Sequence, residues 1–165
     1  MSLRAFSIRA LRAPLAAFTF GAVVIGAGEA TSQQPPFIYV AKFVCGRAVT
    51  AANVPPPVAT GFYFTAVNVH TLLENKFEKI FSIALPGEKV GRVSRPVTET
   101  MKPNEAMEID CPDISKQLDV GQGSFVKGFV TIQAERDLDI VAVYTAAATA
   151  TGNVVALEVE RVPKR

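Results

Sequence analysis

The chain has 165 residues, 49% hydrophobic and 19% charged, a composition that supports one folded domain and excludes a disordered chain. The formal net charge is +2, and His70 is the single histidine. One imidazole excludes, within one chain, catalysis or metal binding built on paired histidines.

Arg4, Arg9 and Arg12 precede an uncharged, mostly apolar run at 14–28 (PLAAFTFGAVVIGAG). This pattern predicts a signal peptide over residues 1–30. The run falls short of the roughly 20 apolar residues a spanning helix needs, is interrupted by glycine and leads into polar residues 31–34. Gly28 and Ala30 suit the pockets of a signal peptidase, which places the cut after Ala30; the alternative is an uncleaved N-terminal anchor. No cysteine lies near the run to carry a lipid. Cleavage leaves 14 basic and 14 acidic residues in the domain 31–165, so the charge belongs to the leader. A neutral exported domain, periplasmic or extracellular, offers no electrostatic reason to expect nucleic acid or a membrane surface as partner.

Short apolar or alternating runs then recur about every ten residues between Pro, Gly, Asn and Asp clusters, which predicts eight strands of an all-β domain. The first covers 37–45 (FIYVAKFVC). The segment 51–61 follows, with Pro55, Pro56 and Pro57 holding an extended, ladder-free loop. Residues 61–70 (GFYFTAVNVH) are rich in aromatic and β-branched side chains. Phe62, Phe64 and Ala66 face one way and Tyr63, Thr65, Val67 and Val69 the other, which predicts a central strand covered on both sides.

Residues 76–85 have spacing compatible with a helix or a strand and stop at Pro86-Gly87. Residues 89–99 read as one edge strand, since Arg92, Arg95 and Pro96 interrupt it. Met107, Ile109 and Cys111 alternate with Glu108 and Asp110, a strand with one wet face. One helical turn is expected at 113–118, capped by Asp113. Residues 125–134 and 138–146 read as a hairpin through Glu135-Arg136-Asp137. A last hairpin joins 138–146 to 153–162 through 146–153 (AAATATGN), an exposed tip.

Cys45 and Cys111 close apolar runs and are expected to pair in an oxidising compartment. In the chain-entropy model such a bridge contributes about 4 kcal/mol. A reactive or metal-binding thiol is the alternative, without a C-x-x-C spacing to support it. These features predict an immunoglobulin-like two-sheet antiparallel β-sandwich with about seven to eight strands. No tryptophan is present to pack on the bridge as in antibody domains. The succession FIYVAKFVC, GFYFTAVNVH, AMEIDCPDI, FVKGFVTI and LDIVAVYTA resembles small exported bacterial β-sandwich proteins without an assigned activity. The resemblance spans nearly the whole exported domain and implies a fold, not a chemistry.

Few residue patterns in the chain support a chemistry. Cupredoxin copper needs two histidines and a cysteine, and only His70 is available. His70 ends a strand, where bonding to loop backbone is its expected role. No G-x-S-x-G turn supports Ser82, Ser94, Ser115 or Ser124 as a nucleophile. Glu105, Glu108, Asp110 and Asp113 surround Cys111, but alternation puts Glu108 and Asp110 on a solvated face, and the calcium loop spacing is absent. Gly121 and Gly123 form a turn without the Lys-Ser/Thr of a phosphate cradle. Phe62, Tyr63, Phe64, Phe125 and Phe129 suit a core better than a carbohydrate platform.

The sequence therefore predicts an exported, non-enzymatic domain with no cofactor and no metal, acting through contacts with a protein it does not identify. The expected interaction surface is the pair of loops carrying Pro55, Pro56 and Pro57 and Thr149, Thr151 and Asn153. The alternatives are a small-ligand or carbohydrate-binding domain and a hydrolase using the carboxylates near Cys111.

Overall fold

The computed structural model describes residues 37–49 and 58–165, and the expected signal peptide and Pro55, Pro56 and Pro57 lie outside them. Nine antiparallel strands and one short helix follow in chain order. They are β1 (Phe37–Ala48), β2 (Gly61–His70), β3 (Asn75–Ala84), β4 (Val90–Val93), β5 (Val97–Met101), β6 (Ala106–Asp110), α1 (Cys111–Gln117), β7 (Val126–Ala134), β8 (Asp139–Ala147) and β9 (Val154–Arg161). The hydrogen-bonded order is β4-β3-β7-β1-β2-β8-β9, with β5 also on β3 and β6 also on β2.

The period-2 burial expected of strands is plainest in β1, where Tyr39, Ala41, Phe43 and Cys45 are buried and the residues between them are not. The same alternation buries Asn75, Phe77, Lys79 and Phe81 of β3, so the run that allowed either reading is a strand. Pairing with β7 over seven residues decides it, because an isolated helix of that length has little stability of its own. Lys79, in a buried position, pairs with Glu99 at 2.9 Å.

β1 connects two ladders. Phe37–Cys45 pair with β7, then Gly46–Ala48 pair with β2. The changeover requires glycine at position 46: its φ is 87°, and a Cβ there would stand 2.1 Å from the Ser124 carbonyl oxygen. Where β1 leaves β2, the Thr65 hydroxyl replaces the ladder. It accepts from the Val44 N–H at 3.0 Å and donates to the Val44 carbonyl at 3.0 Å. The Cys45–Cys111 disulfide lies at the same changeover, with Cα atoms 5.5 Å apart. The Thr65 N–H donates to Cys111 Sγ at 3.2 Å. Hydroxyl, sulfur and glycine together hold the two ladders over one apolar cluster.

That cluster takes Phe43, Phe77, Phe81, Val130 and Ile132 from one ladder and Val67, Val69, Ile109, Ile140 and Ala142 from the other. Each fully buried phenylalanine stabilises the fold by about 1.5–3 kcal/mol relative to exposure. Helix α1 adds Ile114, with Leu118 just past its end. Its start is a capping box formed by Asp110 and Asp113, with Asp113 N–H donating to Asp110 Oδ1 at 3.0 Å. The helix therefore begins two residues earlier than expected, and its cap is Asp110 rather than Asp113, because Pro112 suits the first turn and two carboxylates close the box.

Three other expectations are corrected. There are nine described strands rather than seven or eight, since Pro96 splits the 89–99 run into β4 and β5, which lie one after the other along β3. β7 and β8 do not form a hairpin, because β7 is filled by β1 and β3 while β8 is filled by β2 and β9. The link between them crosses from one ladder to the other and is held by Asn75. Its side-chain amide donates to the Arg136 carbonyl at 3.0 Å and accepts from the Arg136 N–H at 3.2 Å. Tyr39 adds its hydroxyl, which accepts from the Leu138 N–H at 2.9 Å and donates to the Asp137 carboxylate. Finally, β2 is central but not covered on both faces: Phe62 and Phe64 are 43% and 42% exposed.

Candidate interaction surface

In antiparallel strands, directly opposed residues share a face, so the register defines a surface. Phe62, Phe64 and Ala66 of β2 oppose Ala147, Thr145 and Val143 of β8, which in turn oppose Val154, Leu157 and Val159 of β9. Leu157 and Val159 are more than 60% exposed. The result is an apolar face on the side of β2, β8 and β9 away from the core. Its boundary is basic at one corner, where the Arg47 guanidinium lies 5.6 Å from the Phe62 ring centre. A contiguous exposed apolar face of this kind marks a contact surface more often than scattered exposed residues do.

On the other face of β8 and β9, beyond the core residues Ile140 and Ala142, lie polar groups. The Tyr144 hydroxyl donates to Glu160 Oε2 at 3.0 Å, and Glu158 stands two residues away on the same side. Burial, then the hydrogen bond to Glu160, push the Tyr144 phenol well above its ordinary range, so it stays neutral and donating. This face and Lys42 and Val44 of β1 enclose a groove of about 660 Å³.

β9 ends the hydrogen-bonded order, and all eight of its residues are exposed. The Val162 N–H donates to the Ile140 carbonyl at 2.9 Å, which fixes the alternation beyond it. Glu160, Glu158 and Ala156 turn their backbone groups toward β8, while Arg161, Val159 and Leu157 turn theirs outward. No described strand pairs with that outward edge.

The edge of β1 facing away from β7 is closed by contrast. Thr65 caps Val44, the Tyr144 hydroxyl meets the Lys42 backbone, and the Arg165 N–H donates to the Ile38 carbonyl at 2.8 Å. The remaining edge strands β4, β5 and β6 are four or five residues long.

The residues singled out from sequence are distributed unevenly around this surface. Cys45 and Cys111 form the bridge inside the fold and bear on the surface only by holding β1 against β2. Thr149, Thr151 and Asn153 lie in the connection from β8 to β9, at one end of the apolar face. Three bonds close that connection: Ala148 N–H to Asn153 O at 3.0 Å, Gly152 N–H to Ala148 O at 2.8 Å, and Asn153 N–H to Thr151 Oγ1 at 3.2 Å. The proline segment, the other half of the expected surface, lies outside the described residues. Asp110 and Asp113 are engaged in the helix cap, and Glu105 accepts from the Lys102 N–H at 2.8 Å in a turn. Each of these three carboxylates has a local structural partner.

His70 does not bond loop backbone through its side chain among the described residues. It borders a recess of about 680 Å³ with Leu72, Leu73, Arg136, Asp139 and Arg161, in which Arg161 pairs with Asp139 at 2.8 Å. A smaller hollow of about 250 Å³ lies over the disulfide, beside Tyr63, Ser115 and Ser124. No three His, Cys, Asp or Glu side chains gather as metal ligands among the described residues, and no described helix is long and apolar enough to cross a membrane.

Local sequence carries almost no sign of the β9 edge. The only signal for it is the run VVALEVER, in which apolar residues at 154–157 pass into alternating charge at 158, 160 and 161. That pattern describes a paired final strand as well as an open one. No family model matches the chain, and neither a curated protein nor a solved structure matches it.

Proposed function

We propose that this protein is an exported, non-enzymatic β-sandwich of immunoglobulin-like type that acts through protein contacts in the envelope, using β9 and the apolar face beside it. The two ladders are then the two layers, joined where β1 passes from one to the other. The Cys45–Cys111 bridge supports the reading, since structural disulfides persist outside the reducing cytosol. The observation that carries it is the eight-residue outer strand β9, whose outer edge no described strand pairs with and whose apolar side chains are exposed, a form that soluble proteins ordinarily blunt.

Crosslinking in the native envelope tests it. The wild-type chain is expected to be captured in a complex that is lost when Leu157 and Val159 are both changed to Lys. Recovery only as an uncrosslinked monomer, or capture indifferent to both substitutions, refutes the reading.

A second reading, small-ligand binding, is favoured by the recess at His70. Leu72 and Leu73 present exposed apolar walls there beside the guanidinium of Arg136. A screen of amphipathic carboxylates by ligand-observed NMR, repeated with Arg136→Ala, decides it: signals that do not depend on Arg136 reject the recess.

A further inference from the structure

We infer that β9 pairs edge to edge with β9 of a second copy of this chain, antiparallel about a two-fold axis that passes beside Leu157. The inference rests on the contact reading above and names its partner. Three observations converge on it.

The first is the supply of backbone groups. Leu157, Val159 and Arg161 turn N–H and C=O groups to the free edge, by the alternation that the Val162 to Ile140 bond sets. A second copy offers the same groups in the same spacing, so a two-fold axis satisfies donors and acceptors on both chains at once. An axis at Leu157 makes that residue a hydrogen-bonded pair with itself and places Val155 opposite Val159 of the other copy. The irregularity beside Ala146 and Ala147 ends the ladder near Val155.

Charge selects the register. With the axis at Leu157, Ala156 faces Glu158 of the second copy, Glu160 falls beyond the regular ladder, and no like charges meet. Moving the axis to Glu158 sets that carboxylate against itself, and moving it to Val159 sets Glu158 against Glu160. Both are unfavourable for directly opposed residues. An axis at Ala156 keeps charges apart but shortens the ladder, because it sets Val159 against Asn153, which lies outside β9.

The third is the match of faces. A two-fold axis perpendicular to the sheet puts the apolar side of one copy beside the apolar side of the other. Leu157, Val159 and Phe64 then form a band continuous across two chains, while Glu158, Glu160 and Tyr144 stay together on the opposite side. A slip of one residue would bring apolar and acidic faces together and is excluded by the same alternation. The contact is small, so association is expected to depend on concentration rather than to be permanent.

Sedimentation velocity across a concentration series tests the pairing. The wild-type chain is expected to pass from monomer to dimer. Leu157→Lys and Leu157→Glu, each alone, place like charges against each other at the axis and are expected to weaken association by at least roughly tenfold. An equal mixture of the two restores a dimer, because position 157 then meets its opposite charge. Both variants keep the melting temperature of the wild type, since Leu157 is exposed.

A wild-type chain that stays monomeric throughout, a dimer indifferent to both substitutions, or a mixture that fails to restore association overturns the inference. A monomeric chain whose envelope crosslinks are nevertheless lost on Leu157→Lys overturns self-pairing and leaves the contact surface standing. A monomeric chain whose crosslinks survive that substitution and Val159→Lys overturns both.

Discussion

The bridge between Cys45 and Cys111 closes a sequence separation of 66 residues. Replacing both cysteines by alanine removes the restriction it places on the unfolded chain, which in the chain-entropy model amounts to about 4 kcal/mol. Cys111 Sγ also accepts from the buried Thr65 N–H, and losing that acceptor adds about 1 kcal/mol. For a domain of this size 1 kcal/mol moves the melting temperature by about 3–6 °C, so the double variant is expected to melt about 15–30 °C below the oxidised wild type. Differential scanning calorimetry on three samples makes the comparison: oxidised wild type, wild type reduced with a thiol, and the double variant. The last two should differ only by the Thr65 bond to sulfur, about 3–6 °C. Because the effect resides in the unfolded state, the dependence of stability on urea should also steepen when the bridge is absent. A double variant melting within about 3 °C of the oxidised wild type would refute the reasoning, and would mean that glycine, hydroxyl and core packing hold the changeover of β1 unaided.

Thr65→Val keeps the side chain's shape but strips Val44 of both partners; it is expected to cost about 1–3 kcal/mol in urea unfolding and to speed amide exchange at Val44 selectively. Gly46→Ala is expected to destabilise the fold by more than about 3 kcal/mol or to prevent soluble expression, since its Cβ would meet the Ser124 carbonyl. Gly87→Ala, at φ 71° but in open space, costs only about 1 kcal/mol and serves as the control. Asn75→Ala releases the link between β7 and β8 and is expected to lower stability by about 2–3 kcal/mol, read from the urea midpoint. Burial, then the hydrogen bond to Asp137, push the Tyr39 phenol up to about 12. The folded chain thus holds a proton that the unfolded chain releases from about pH 10, so stability falls as pH rises from there through the folded value. Unfolding midpoints measured across that range should decline, and less steeply in Tyr39→Phe.

The strands were legible where local pattern and tertiary role agree. Alternation in FIYVAKFVC and GFYFTAVNVH marks β1 and β2, because burying one face of a strand requires an apolar residue at every second position. The last hairpin, from β8 to β9, was legible for the same reason, with a short Gly-containing connection between two apolar runs. Cys45 and Cys111 are the only two cysteines, so their bond could be read from the sequence as soon as an oxidising compartment was inferred. The candidate surface was not legible in this way. Phe62 and Phe64 have the same composition whether a second layer covers them or not, and nothing in VVALEVER separates a paired strand from an unpaired one.

Local chemistry by itself determined an all-β domain, the positions of most strands, their turns, and which two sulfur atoms join. These depend on side-chain periodicity, on the stiffness of proline and on the freedom of glycine, all properties of residues close together in the chain. Only the tertiary structure decided that β7 pairs with β1 and β3 instead of β8, that β1 serves both ladders, and that β9 has no partner on its outer edge among the described strands. Strand partners are chosen among segments far apart in sequence, by which faces bury together and which backbone groups find a match. A single strand carries no record of the neighbour it lacks.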